Sequence, residues 1–115
     1  MKAADLDDVI QSFRQSHPEY GTPEGAEDCC FTASCEFAEV CQEAGLPVCV
    51  KDEDGESIYD VLEVAGIEGQ YHVDFKRFRN HWVLRVGNYI VDWTARQINP
   101  SADFPVVALE SEVVF

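Results

Sequence analysis

Basic side chains are scarce in this sequence: 8 lysines and arginines stand against 22 aspartates and glutamates, a formal net charge of −14 over 115 residues. Such a chain has no bulk electrostatic route to a phosphate backbone. It should repel anionic membrane surfaces and be drawn to basic partners. Direct nucleic-acid binding and membrane association are therefore not expected. There is no apolar run of about 18 residues that could span a bilayer, and Met1 to Asp8 lacks the apolar stretch of a secretory signal. Paired CxxC motifs are also missing. The five cysteines (29, 30, 35, 41 and 49) are odd in number and none has a histidine at a zinc-ligand spacing. We expect free thiols in a reducing, cytoplasmic setting, and neither metal nor organic cofactor.

Repeats, linkers and low-complexity segments are absent, so one domain over residues 1–115 is the simplest organisation. Apolar residues make up 46%, with two Trp, four Tyr and seven Phe, which is enough for a core and excludes a wholly disordered chain. Leu6, Val9, Ile10 and Phe13 form one apolar stripe and predict a helix over 5–16 that Pro18 ends. Residues 18–27 read as a loop. Asp28 is placed to cap a helix over 29–44 with Ala33, Phe37, Val40, Cys41 and Ala44 inward, stopped by Gly45 and Pro47. The period then moves towards 2. Strands are expected over 46–50, 57–65, 70–76, 81–86 and 89–94, the last two joined by a Gly87-Asn88 hairpin turn. The proline-containing tail should wrap the sheet and add an edge strand at Val106–Leu109. Helices followed by an antiparallel sheet make the expected class α+β.

Two features carry chemistry. Cys29 and Cys30 fall in the first turn of the second helix, where unpaired N–H groups and the helix dipole favour a thiolate. Asp28 opposes this, because a neighbouring carboxylate disfavours the thiolate. Cys35, Cys41 and Cys49 read as small buried hydrophobes. The hairpin supplies the second feature. A two-residue turn at Gly87-Asn88 pairs Val86 with Tyr89, Val83 with Asp92 and His81 with Thr94, so His81 and Asp92 share a face as diagonal neighbours. That is the arrangement of a general base and its orienting acid. His17 and His72 have no comparable partner in the sequence.

The segment CFTASCEFAEVCQEAGLP, from Cys30 to Pro47, resembles the nucleophile helix of the papain-like and transglutaminase-like cysteine enzymes. It has a helix-initial Cys, a small residue four later and an apolar face ending in Gly-Leu-Pro. HWVLRVGNYIVDWTARQI resembles the family's His-x-Val strand, its turn and its Asp-x-Thr-Ala-x-Gln-Ile segment. The likeness covers residues 28–105 and includes Phe104-Pro105, as in bacterial papain-fold effector domains. It implies a minimal papain-like core and a Cys30–His81–Asp92 triad, because counting back from Gly45 selects Cys30, with Cys29 as the alternative nucleophile. In papain-type members a glutamine six residues before the nucleophile helps to bind the oxyanion; Glu24 stands there, and Trp93 replaces a frequent proline. Oxyanion donors are then sought in the Cys30 N–H and in Asn80 or Trp82.

The function implied is acyl chemistry on an amide or ester bond of a protein or peptide, by a peptidase, deamidase or transferase. The alternative is a non-enzymatic acidic binding or inhibitor protein on the same scaffold, acting on a basic partner. Oligomeric state is left open.

Overall fold

The computed structural model describes residues 3–67, 70 and 81–115. Helices come first and antiparallel strands follow, an α+β arrangement. Helix α1 spans Ala3–Ser16 and turns Leu6, Ile10 and Phe13 into the core. Its last turn closes through His17 N–H to the Phe13 carbonyl at 2.9 Å before Pro18 ends it. The expected loop at 18–27 instead holds a 3₁₀ turn, Pro18–Gly21, and a one-turn helix α2, Pro23–Ala26. Thr22 caps α2 by accepting the Gly25 N–H at 3.0 Å. A Cβ on Gly25 would collide with the Glu19 carbonyl, so glycine is needed for this close approach.

Helix α3 spans Cys30–Glu43 and begins one residue later than expected. Asp28 is not its cap. It adopts a left-handed conformation, φ 58°, and Cys29 occupies the cap position without a side-chain cap bond. At the far end Gly45 has φ 80°, its N–H bonds the Gln42 carbonyl at 3.0 Å, and the Leu46 N–H bonds the Cys41 carbonyl at 2.9 Å. Those two bonds are a Schellman motif, and they explain why glycine stands at this stop. The inward face holds Ala33, Ser34, Phe37, Ala38 and Cys41. Ala44, expected inside, is exposed, because it follows the last full turn.

Strands β1 (Cys49–Lys51) and β2 (Ser57–Tyr59) form a two-stranded hairpin. The single strand expected over 57–65 divides at Asp60, after which β3 (Val61–Val64) joins a different sheet. Strand β4 (Gly66–Ile67) pairs with β8 (Val113–Val114), neither of which was expected. The strand expected at 70–76 lies outside the described residues, apart from Gln70 in a turn. Strands β5 (His81–Val86), β6 (Tyr89–Asp92) and β7 (Val106–Leu109) complete a sheet of order β3-β5-β6-β7. Gly87 has φ 61° while Asn88 does not take positive φ, which is the pattern of a type II′ turn. Val86 pairs with Tyr89 and Leu84 with Val91, the register read from the turn.

The sheet has two buried faces. Leu84, Val86 and Val91 pack with α1 and α3, where Trp93 fills the centre against Phe13 (4.6 Å), Phe37 (5.1 Å) and Phe104 (5.4 Å). Val64, Val83, Ile90 and Val106 pack with Ala95 and Ala102 of the tail. His81 pairs with Val64 and Asp92 with Val106, which places both polar residues on this second face.

Candidate active site

His81 is the first residue of β5, so its imidazole stands at the end of the sheet. There a group on the second face can meet the N-terminus of a helix packed on the first. Ser34, one turn into α3, fixes that meeting: its hydroxyl donates to the Cys30 carbonyl at 2.8 Å and lies 3.4 Å from the Trp82 carbonyl. The result brings Cys30, His81 and Asp92 together. His81 Nε2 lies 2.8 Å from Asp92 Oδ2, with both side chains buried. Asp92 Oδ1 accepts the Thr94 N–H at 3.0 Å, which fixes the carboxylate's orientation. Strand β6 ends at Asp92, short of the expected Thr94, where the chain turns to make that bond. Since Nε2 serves Asp92, Nδ1 is the nitrogen left for the Cys30 thiol, to which His81 is hydrogen bonded.

The electrostatics favour separated charge. Partial burial works against the Cys30 thiolate. The hydrogen bond from His81, the backbone N–H of Trp82, the charge of His81 and the Phe31 N–H together outweigh it, and the pKa lies below that of an ordinary thiol. Burial also works against an imidazolium at His81. The charge and hydrogen bond of Asp92, then those of Cys30, override it and raise the His81 pKa. Both shifts run in the direction of a thiolate beside an imidazolium.

The other cysteines differ. Cys29 packs against the helix-side core, close enough to Tyr20 to act on its hydroxyl, and takes no part in the His81 contact. Cys41 is buried, and burial pushes its thiol up to about 12. Cys35 is half-buried and also raised by burial. Cys49 corrects the expectation of a buried hydrophobe: it is exposed on the edge of a two-stranded hairpin and receives the Gln42 amide at 3.6 Å. No disulfide links cysteines among the described residues.

Of the expected oxyanion donors, Asn80 lies outside the described residues, as does His72. Trp82 directs its backbone N–H to the Cys30 sulfur, while its indole packs edge-on against Phe31 at 5.7 Å. Glu24 is exposed on α2. His17, read as having no partner comparable to Asp92, bonds Glu19 at 3.0 Å and stacks on Phe13 at 4.3 Å.

Gln97 was not singled out from the sequence. It lies in the 3₁₀ turn Ala95–Gln97, five residues after Asp92. Its Oε1 accepts the Asp28 N–H at 3.3 Å, which directs Nε2 towards Thr94 Oγ1 (3.2 Å) and His81 Nδ1 (3.5 Å). When Nδ1 carries a proton it cannot accept from the amide, which leaves Thr94 Oγ1 as the acceptor. The signal lay in the quoted Asp-x-Thr-Ala-x-Gln-Ile segment, but no local pattern says where a glutamine after a strand will point.

Among the described residues no group of three His, Cys, Asp or Glu is arranged to hold a metal ion, and no helix is long and apolar enough to cross a membrane. No family model matches this chain, and no curated protein or solved structure is significantly similar to it.

Proposed function

We propose that this chain is a cysteine-dependent acyl hydrolase or transferase of papain-like or transglutaminase-like type, acting on an amide or ester bond of a protein or peptide. The observation that carries the reading is a buried imidazole held between the Cys30 thiol and the Asp92 carboxylate. The Cys30 thiolate attacks the carbonyl carbon, a C–S bond forms, and the carbonyl electron pair moves to oxygen. That oxyanion is met by N–H groups of the first turn of α3, which have no carbonyl partner within the helix, and by the Gln97 amide. As the C–N or C–O bond breaks, His81 gives its Nδ1 proton to the leaving group. Water or an amine then attacks the thioester, His81 takes the proton back, and the thiolate departs. Asp92 keeps Nε2 protonated and stabilises the imidazolium.

Selective alkylation tests this. Iodoacetamide at about pH 6.5 should modify Cys30 far faster than the other four cysteines, because an ordinary thiol with a pKa of about 8.5 is almost wholly protonated there. Peptide mapping identifies the labelled residue. His81→Ala and Asp92→Asn should each slow the labelling, whereas His17→Ala should not. Uniform slow labelling, indifferent to His81, would end the enzyme reading.

A second reading has one observation in its favour, the net charge of −14. On it the chain is an acidic binding protein or inhibitor of a basic partner, and the thiol is incidental.

A further inference from the structure

An open groove of about 600 Å³ runs between α3 and the β1–β2 hairpin, with Phe31, Cys35 and Gln42 on one wall and Ile58 and Tyr59 on the other. One wall carries Phe31, the neighbour in sequence of Cys30. Trp82 directly follows His81, and its ring meets that of Phe31 edge-on at 5.7 Å. The far end is tied by the Tyr59 hydroxyl donating to Gln42 Oε1 at 3.1 Å and by the Gln42 amide on Cys49. Phe31 is 53% exposed and Ile58 47%, large apolar side chains left uncovered on the two walls of the groove. Solvated apolar patches mark places where a ligand's apolar groups are buried.

The rim is acidic. Glu39 and Glu43 stand one turn apart on the stripe of α3 that includes Cys35. Tyr59 lies in their field: its hydroxyl pKa is raised by partial desolvation and by the charges of Glu39, Cys49, Cys35 and Glu43. Lys51, opposite Ser57, is the basic residue of the hairpin, and it adjoins a turn carrying Asp52, Glu53, Asp54 and Glu56. Among the described residues β2 pairs only with β1, which leaves backbone groups for an extended chain.

We propose that this groove is the substrate cleft, binding an extended polypeptide whose apolar side chain covers Phe31 and Ile58 while an adjacent lysine or arginine faces Glu39 and Glu43. This deepens the reading of Cys30 as the nucleophile and rests on it.

Three short fluorescein-labelled peptides of equal length test the cleft by anisotropy on the Cys30→Ala variant. They carry a central Leu-Arg, Leu-Glu or Gly-Arg pair among serines and glycines. Leu-Arg should bind at least about tenfold tighter than either relative, the discrimination expected when a pocket loses one fitted group. Ile58→Lys should abolish the advantage over Gly-Arg. Glu39→Lys with Glu43→Lys should invert the preference to Leu-Glu; all three positions are exposed, so folding should persist, as circular dichroism would verify. In the wild-type chain, saturating Leu-Arg peptide should protect Cys30 from iodoacetamide. Equal binding of the three peptides, indifference to Ile58→Lys, or tight binding without protection of Cys30 would each overturn the cleft while leaving the nucleophile standing. Loss of selective Cys30 labelling before any peptide is added would instead remove the nucleophile, and this proposal with it.

Discussion

At the scale of single residues, His81 has to keep a charge inside the protein. Burial disfavours its imidazolium, and the partners that reverse this are Asp92 first and Cys30 second; together they hold its pKa at about 10. The proposed acyl transfer needs Cys30 deprotonated and His81 protonated at once. Acyl transfer should therefore show a pH window opening below the ordinary thiol range and closing well above the ordinary histidine range. Asp92→Asn should draw the upper limb down towards neutral pH, and a rate profile on any turned-over thioester would show it. Stability gives an independent check. In Cys30→Ala the His81–Asp92 contact remains, and it raises the folded pKa above the unfolded value. Its contribution is then complete below about pH 6.5 and is withdrawn as pH climbs towards the folded pKa. The urea midpoint of Cys30→Ala should fall between about pH 6 and 9, and adding His81→Ala should flatten that fall. The pairing of His81 with Asp92 was legible because a two-residue turn fixes register, and register fixes which side chains share a face. Gln97 was not legible, because its role depends on Asp28, 69 residues away in sequence, taking a left-handed turn. Gln97→Ala should slow acyl transfer by about a hundredfold if its amide meets the oxyanion. Cys30 alkylation, which develops no oxyanion, should change little.

At the scale of elements, long periodic segments were readable and short ones were not. The stripe Leu6, Ile10, Phe13 and the Gly45 stop mark two helices because each rests on local geometry, a 3.6 period and a Schellman turn. Strand 57–65 reads as continuous because apolar residues flank Asp60 on both sides and no glycine or proline interrupts them. The break there comes from distant partners. The Asp60 N–H bonds the Val48 carbonyl at 2.7 Å, and its carbonyl takes the Arg85 N–H at 2.9 Å. Its buried carboxylate bonds Arg85 Nε at 2.7 Å. Asp60 thus joins the hairpin to the larger sheet and carries the chain from one to the other. Strands β4 and β8 are two residues each, too short for any period to declare. Asp60→Ala should cost about 1–3 kcal/mol, because a half-exposed Arg85 loses a charged partner and keeps only Glu110. Since Tyr59 precedes Asp60 on the cleft wall, the same variant should also loosen peptide binding there. A chemical denaturation curve and the anisotropy assay would separate the two effects.

At the scale of the whole molecule, the charge of −14 and the Cys30–His81–Asp92 cluster point to different uses of one surface. Among the described residues the buried acids are Asp60 and Asp92, and they pair with Arg85 and His81. The excess of acid is therefore a property of the solvent side, where it acts over a Debye length of about 8 Å at physiological salt. Such a field speeds encounter with a basic protein whatever happens after contact. It serves an inhibitor that holds its partner, and it equally serves an enzyme whose substrate carries lysines near the scissile bond. What separates the two is the step after encounter. A partner held by charge alone should be released steeply between about 50 and 300 mM salt, and Cys30→Ala should hold it as well as the wild type. A substrate should behave otherwise. Its encounter rate should fall with salt in both forms, but only the wild type should form a thioester, detectable as a mass increase on the Cys30 peptide after acid quench. Retention of a basic partner that is equal in both forms, with no acyl adduct under any salt condition, would assign the acidic surface to binding. An adduct on Cys30 whose yield falls with salt would assign that surface to delivering substrate to the thiol.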